Sequence, residues 1–351
     1  MDFLDKIRNK KILVVGLGRT GRATLEMLDG KGCELYAQDS KTREQMDEAL
    51  IALIDRSCKD AFLGYVPDET KFDYVIMSPG VSPELEFVKE AEQAGAEVIG
   101  ELELAYRLCK GIFVAITGTN GKTTTTSLVG EIFERSKRKT SVVGNIGKAV
   151  IGAALEATKD DWLVTEVSSF QLETTREFRP LVSAILNLTP DHLNRHHTME
   201  AYGAAKAKIF ANQNKEQYLI INYDDKLCFD LAKDAECTVV PFSRKSKLDY
   251  GVILENNKIY VNDKDNKVYI CDKRDIRIIG DHNVENVLAA VGICYFAGIA
   301  KEVIAEGIRN FGGVEHRIEF CAEIRGVKYY NDSKGTNVDA SLTALRAIKE
   351  N

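Results

Sequence analysis

The run FVAITGTNGKTTTT, residues 113–126, restricts what this chain can fold into more than any other feature. An apolar strand, a glycine loop, Lys-Thr and a following helix over about 122–136 form the context that a phosphate-binding loop needs. Gly118 and Gly121 let backbone N–H groups turn toward phosphate oxygens, and the helix N-terminus adds partial positive charge. Lys122 has the reach for the β- and γ-phosphates, and the Thr123 hydroxyl suits Mg²⁺. Thr119, Asn120 and Thr124 complete the expected ATP-binding loop. Thr117 stands where the longer form of the motif has glycine, so this is the shorter GTNGKT form. A plain glycine turn between strand and helix is the bland alternative.

The rest of the chain agrees with an α/β fold. KILVVGL, ELYAQD, YVIMSPG and AEVIG alternate with helical stretches over 21–29, 42–55 and 84–94. That alternation predicts a parallel sheet covered by helices. ELELAYRLCKG reads as a linking helix. A second series, GIFVAITG, TSVVGN, WLVTEVSS, SAILNL and YLIIN, is continuously apolar, as strands buried on both faces should be. Residues 251–271 read as a small antiparallel element at the edge of that second unit. Two helices follow, near 283–297 and 301–310. The last stretch, EIRGVKYYNDSKGTNVDASLTALRAIKEN, gives two strands, a loop and one helix, fewer residues than an α/β domain needs. The expected domains are 1–101, 102–314 and 315–351.

A second glycine loop, GLGRTG, follows the first strand. Gly16, Gly18 and Gly21 suit a tight turn, close phosphate approach and helix packing. Asp39 stands where a dinucleotide-binding fold places its ribose acid. Taken alone, that pattern suggests an NAD-dependent dehydrogenase, which leaves GTNGKTT unexplained.

A magnesium site needs hard oxygen ligands beside the phosphate loop. Glu166 lies near the C-terminal end of the strand WLVTEVSS, where ligands of α/β sheets gather. Asp191 and His192 follow the next strand, while His196 and His197 read as ordinary histidines. Lys206 sits in MEAYGAAKAKIF beside Ala204 and Ala205, small residues that permit close approach, although a surface lysine is the default.

Among the 351 residues, a net charge of −6 argues against nucleic acid as a partner. No apolar run reaches the roughly 20 residues of a membrane span. The eight cysteines are scattered with no CxxC pair, which reads as thiols in a reducing cytosol.

GTNGKTT, GNIG (144–147), EVSSFQLE (166–173), TPDHLNRH (189–196), YGAAK (202–206), DHNVEN (281–286), HR (316–317) and NDSKGTN (331–337) occur in that order. Together they closely resemble the Mur ligases of peptidoglycan synthesis, over essentially the whole chain. The resemblance implies a Rossmann-like UDP-binding domain, a central P-loop ATPase and a Rossmann-like C-terminal domain. SSFQLE with SPGV (78–81) points to the member whose substrates are UDP-N-acetylmuramoyl-L-alanine, ATP and D-glutamate. In the implied reaction, the substrate carboxylate attacks the γ-phosphate to give an acyl phosphate. The D-glutamate amine then displaces phosphate. The cofactors implied are ATP and Mg²⁺, in a cytoplasmic, monomeric bacterial enzyme.

The residue roles implied by the resemblance are these. Lys122 binds phosphates, Thr123 and Glu166 hold one Mg²⁺, and His192 helps hold a second. Lys206 matches a lysine that is carbamylated into an anionic metal ligand. Asn145 contacts the UDP-substrate and the reacting region, so Lys122, Glu166, His192, Lys206 and Asn145 form the expected catalytic set. Asn283 and Asn286 are nucleotide ligands, with helix N-capping as their alternative role. Arg317 contacts ATP, with His316 beside it, and Asp332 contacts its ribose. Lys334 and Thr336 meet the amino acid. The UDP-substrate is expected at Gly18, Arg19, Thr20, Asp39, Ser40, Lys41, Ser78, Gly80, Asn145 and His192. Gly335 departs from the usual Ala. The third domain is about a hundred residues shorter than an ordinary domain of its kind, so weak D-glutamate ligation is expected of a fragment. Other members of the superfamily, such as folylpolyglutamate-type ligases, and a non-catalytic nucleotide-binding module are the competing readings.

Overall fold

Five short parallel strands carry the first of the chain's two units, Met1–Gly111, Val143–Lys159 and Ser168–Phe178. The computed structural model describes residues 3–349 apart from 69, 265, 336 and 337. The strands are β1 (Lys11–Val15), β2 (Glu34–Asp39), β3 (Cys58–Leu63), β4 (Tyr74–Met77) and β5 (Glu97–Gly100), in the order β3-β2-β1-β4-β5. All neighbouring pairs are parallel. Leu13, Val15, Val75, Met77, Phe87 and Val98 share its core. The helix expected over 42–55 begins only at Glu48, because the Asp47 side chain caps it at the Leu50 N–H. Before it, Thr42 and Gln45 close a separate 3₁₀ turn.

The second unit is Ile112–Val142, Asp160–Val167 and Arg179–Asn351. Its strands are β6 (Ile112–Thr117), β7 (Thr140–Gly144), β8 (Trp162–Glu166), β9 (Val182–Ile185), β10 (Tyr218–Asn222), β11 (Thr238–Ser243), β12 (Gly251–Glu255), β13 (Lys258–Asp263) and β14 (Asn266–Asp272). They form one sheet in the order β14-β13-β12-β11-β10-β9-β6-β8-β7. β8, β6, β9, β10, β11 and β12 are parallel, and β12, β13 and β14 are joined antiparallel at one edge, as residues 251–271 predicted. The chain order reverses around β6, which lies between β8 and β9. Such a reversal opens a crevice at the C-terminal strand ends, and the phosphate loop leaves β6 there. The helices Lys122–Arg135, Asp281–Phe296 and Lys301–Asn310 supply apolar faces to the core with Val114, Ile132, Phe133, Ile220 and Leu288. A hairpin of β15 (Glu319–Ile324) and β16 (Val327–Asn331) and the helix Val338–Lys349 follow. No helix among the described residues is long and apolar enough to cross a membrane.

Candidate active site

The phosphate loop is held by hydrogen bonds from its neighbour strand's exit. Thr119 N–H donates to the Asn187 carbonyl (3.1 Å) and Asn120 N–H to Asn187 Oδ1 (2.8 Å). Asn187 Nδ2 returns a bond to the Asn120 carbonyl at 3.0 Å. Thr119 Oγ1 donates to the Thr189 carbonyl and accepts the Thr189 N–H. Gly121 begins the helix in the left-handed region, φ 82°, where a side chain is strained. A Cβ there would also lie 2.2 Å from Asn286 Oδ1.

Lys122 and Lys206 meet beneath this loop. Lys122 Nζ donates to the carbonyls of Gly118 (2.8 Å) and Thr119 (2.7 Å). Lys206, 1% exposed, donates to the Gly118 carbonyl at 2.9 Å and lies 4.5 Å over the Tyr202 ring. The surface-lysine default is therefore wrong for Lys206, which is buried against the loop. Burial, and then the Lys122 charge, push the Lys206 amine well below its ordinary range, with Asp191 opposing. Burial also lowers Lys122, while the Glu166 and Asp191 carboxylates work the other way. Glu166 is buried at the end of β8, in register with Ile116. His192 adopts a left-handed backbone (φ 52°) at the head of the helix Leu193–His196, and its half-exposed ring lies 3.7 Å from Asp191.

Three separate stretches close on one cavity of about 210 Å³. Asn120, Gly121 and Thr124 come from the loop, Asn283 and Asn286 from the helix Asp281–Phe296, and Arg317 and Asp332 from beside the hairpin. Arg317 Nη2 donates to Thr123 Oγ1 at 3.1 Å, and its buried Nε has no hydrogen-bond partner among the described residues. Asp332 accepts the Ile318 N–H at 3.1 Å. N-capping does not explain Asn283 and Asn286, since Gly280 is the N-cap. Asn283 instead bonds the Ile279 carbonyl, and Asn286 bonds Asn283. Lys334 is exposed, its N–H donating to the His316 carbonyl. Thr336 lies outside the described residues. Sequence reasoning missed Asn187, His282 and Glu285, which line the same cavity.

No cluster of three or more His, Cys, Asp or Glu with metal-ligating geometry occurs among the described residues. A Mg²⁺-nucleotide does not need one. Magnesium keeps several waters and takes one or two protein oxygens plus phosphates. The Thr123 hydroxyl and the Glu166 carboxylate are hard donors at the loop, and the Arg317 Nε–H is a buried donor at the cavity. This set fits a Mg²⁺-bound nucleoside triphosphate.

In the first unit, the GLGRTG loop is a tight turn between β1 and the helix Arg19–Leu28. Gly16 has φ 83°, and a Cβ at Gly21 would meet the Gly16 carbonyl at 1.9 Å, whereas a Cβ at Gly18 would meet nothing within 4 Å. Ser78 Oγ donates to the Gly16 carbonyl at 2.6 Å. Asp39 accepts the N–H groups of Leu17 (2.6 Å) and Lys41 (2.9 Å), tying the loop to β2. Gly18, Arg19, Asp39 and Lys41 line a cavity of about 400 Å³. Thr20 lies in the first turn of the adjoining helix, and Ser40 and Gly80 are exposed. Asn145 is exposed on the turn after β7, and the Arg19 guanidinium bonds the carbonyls of Gly147 and Gly144 in that turn.

Residues 116–294 match the family described as Mur ligase middle domain, and residues 10–100 match Mur ligase MurD-like, N-terminal domain. The chain is 46% identical to the UDP-N-acetylmuramoylalanine–D-glutamate ligase of Thermoanaerobacter sp. strain X514, over 98% of this chain and 76% of that protein. It is 48% identical to the enzyme of the same name from Caldanaerobacter subterraneus subsp. tengcongensis, over 98% and 76%. The counterpart from Clostridioides difficile strain 630 is 47% identical, over 97% and 76%. Among solved structures, MurF from Acinetobacter baumannii is similar with a TM-score of 0.60 at 18% identity, over 98% of this chain and 72% of that one. MurC from Thermotoga maritima gives 0.56 at 21% identity, over 97% and 78%. At these identities the structures show the shared fold.

Proposed function

The chain belongs to the Mur ligase family, and from that premise we propose that it joins D-glutamate to UDP-N-acetylmuramoyl-L-alanine, with cleavage of ATP to ADP and phosphate. The observation that carries this reading is the convergence of the loop, Asn283–Asn286 and Arg317–Asp332 on one cavity.

In the first step, the substrate carboxylate and the γ-phosphate are both anionic and repel. Lys122, the loop N–H groups and Arg317 supply the positive charge that offsets this repulsion. Thr123 and Glu166 would hold Mg²⁺, with His192 at a second ion, and the metal would neutralise charge developing on the transferred group. Asn283, Asn286 and Asp332 hold the nucleoside. Lys334 and Thr336 are assigned to the amino acid.

Lys206 is assigned as the carbamylated lysine. A neutral amine is the nucleophile toward CO₂, and burial favours that form here. Its nitrogen forms a bond to the CO₂ carbon as one C=O π bond opens onto oxygen, and a proton leaves to solvent, which turns the neutral amine into an anionic oxygen donor. The UDP half is assigned to the cavity of Gly18, Arg19, Asp39 and Lys41, with Thr20, Ser40, Ser78 and Gly80 around it and Asn145 on the neighbouring turn. Domain boundaries at 101/102 and 314/315 and a monomeric state belong to the same proposal.

The test is ADP and phosphate release with UDP-N-acetylmuramoyl-L-alanine and a panel of amino acids. Release that requires both the nucleotide-sugar and D-glutamate is expected. Equal turnover with another amino acid, or no ATP cleavage, would overturn the assignment.

A further inference from the structure

Glu101 is a buried carboxylate, 2% exposed, that immediately follows β5 at the C-terminal edge of the first unit's sheet. It accepts the Ile151 N–H at 2.7 Å, and the Val150 N–H also holds it. These are the first amides of the helix Val150–Glu156, whose own N-cap, Ala149, has no side chain able to accept them. The cap therefore comes from a different helix.

The turn before that helix is equally constrained. Gly144 N–H donates to the Lys148 carbonyl at 3.0 Å, and Gly144 and Gly147 take φ of 108° and 68°. Arg19, at the start of the helix after GLGRTG, donates to Gly147 O at 3.0 Å and Gly144 O at 3.3 Å. The turn that bears Asn145 is thus held by Arg19 on its own carbonyls and by the Glu101 carboxyl through the first amides of the helix that follows it. Both tethers arise just past strand ends, and Arg19 also lines the cavity with Gly18 and Asp39.

We propose that Glu101 is a positioning residue for the nucleotide-sugar substrate: with Arg19 it fixes the 144–148 turn so that Asn145 is presented to the ligand. This rests on the functional assignment above, both for the identity of that ligand and for Asn145 as its contact. Holding a turn does not by itself need a charge, since a neutral oxygen caps helices as well. Burial pushes the Glu101 carboxyl up to about 7, with the two N–H groups and Arg19 opposing. Arg19 is the charged side chain acting on it. Ionising a carboxyl that burial has raised works against the buried, amide-bonded arrangement, so the hold on the turn loosens as pH rises through this value.

Two measurements on the whole chain test the proposal. Amide exchange of residues 144–151 needs no ligand and no activity. Glu101→Ala should speed exchange at Val150 and Ile151 about tenfold or more, and Glu101→Gln less. Calorimetric binding of UDP-N-acetylmuramoyl-L-alanine from pH 6 to 8.5 supplies the second. Wild-type affinity should weaken as pH rises through about 7. Glu101→Gln should flatten that dependence, and Glu101→Ala should weaken binding about tenfold with ATP binding within about twofold. A Glu101→Gln protein with the wild-type pH profile, or unchanged exchange in Glu101→Ala, overturns the proposal. A wild-type chain that does not bind the nucleotide-sugar overturns the functional assignment instead, while the exchange data still decide whether Glu101 holds the turn.

Discussion

The Nζ atoms of Lys122 and Lys206 converge on a single acceptor, the Gly118 carbonyl, at 2.8 and 2.9 Å. Two ammonium groups on one oxygen repel, and burial holds both amines below their ordinary range. The arrangement therefore favours either a neutral amine at Lys206 or a chemical change that removes its positive charge. An incoming phosphate would draw Lys122 toward the ligand and off the carbonyls of Gly118 and Thr119.

Lys206 should carry a carbamate under a bicarbonate-containing buffer. Carbon-13 NMR after labelling with ¹³C-bicarbonate should show a carbamate carbon in the wild type that is missing in Lys206→Ala. The same variant should lose about 10²–10³-fold in ligation rate, the scale for removal of one electrostatic group at a transition state. Binding of the nucleotide-sugar should be retained. A wild-type spectrum without the carbamate signal would remove this role.

Lys122→Ala should weaken ATP-dependent turnover by about 10²–10³-fold, while the cavity of the first unit keeps its ligand. Lys122→Arg should not restore the rate. The planar guanidinium has a different reach and donor geometry from an ammonium turned under the loop. Steady-state ADP formation at varied ATP, set against nucleotide-sugar binding, separates the two units.

Gly121→Ala should fail for two separable reasons. The left-handed backbone at φ 82° costs about 1–2 kcal/mol for a residue with a Cβ. The Cβ also collides with Asn286 Oδ1 at 2.2 Å. Combining Gly121→Ala with Asn286→Ala should relieve the collision but leave the backbone cost. Unfolding midpoints of the two single variants and the double variant give the coupling directly. Simple additivity would show that the two residues do not oppose each other.

The elements legible in the sequence were those with strong apolar runs. β1, β6, β8 and β10 are buried nearly throughout, and each appeared as an unbroken hydrophobic stretch. β3, CKDAFL, escaped because it is an edge strand with only Phe62 buried. β11 escaped because Pro241 interrupts its pattern. The strand tolerates the proline, as its pairing with β12 begins only at Phe242. At the site, the loop and its lysine follow from local sequence, but the Asn187 clamp does not. Its partner Asn120 lies 67 residues away, and an asparagine at a strand end has many commoner uses. Likewise, spacing singled out Asp39 as a candidate ribose contact, whereas its bonds to Leu17 and Lys41 depend on the folded loop.

Glu101 and Glu103 stand two residues apart on one helix and should respond oppositely to substitution. Glu103, fully buried, accepts the N–H groups of Arg176, Glu177 and Phe178 and pairs with Arg107 Nε at 2.7 Å. Removing one partner of such a network strands the other, so Glu103→Ala should destabilise the protein by about 3–5 kcal/mol. Glu101 has no such ion pair within hydrogen-bonding distance among the described residues, and its carboxyl is raised from 4.5 to about 7 by burial. A carboxyl raised on folding stabilises fully below its unfolded value, and that contribution is lost as pH climbs through about 7. The difference corresponds to on the order of 3 kcal/mol. Glu101→Gln should therefore match or exceed wild-type stability at pH 8 and lose that advantage near pH 5. Denaturant unfolding at the two pH values measures this. A Glu101→Gln variant destabilised equally at both would mean that the carboxylate serves the fold rather than the turn.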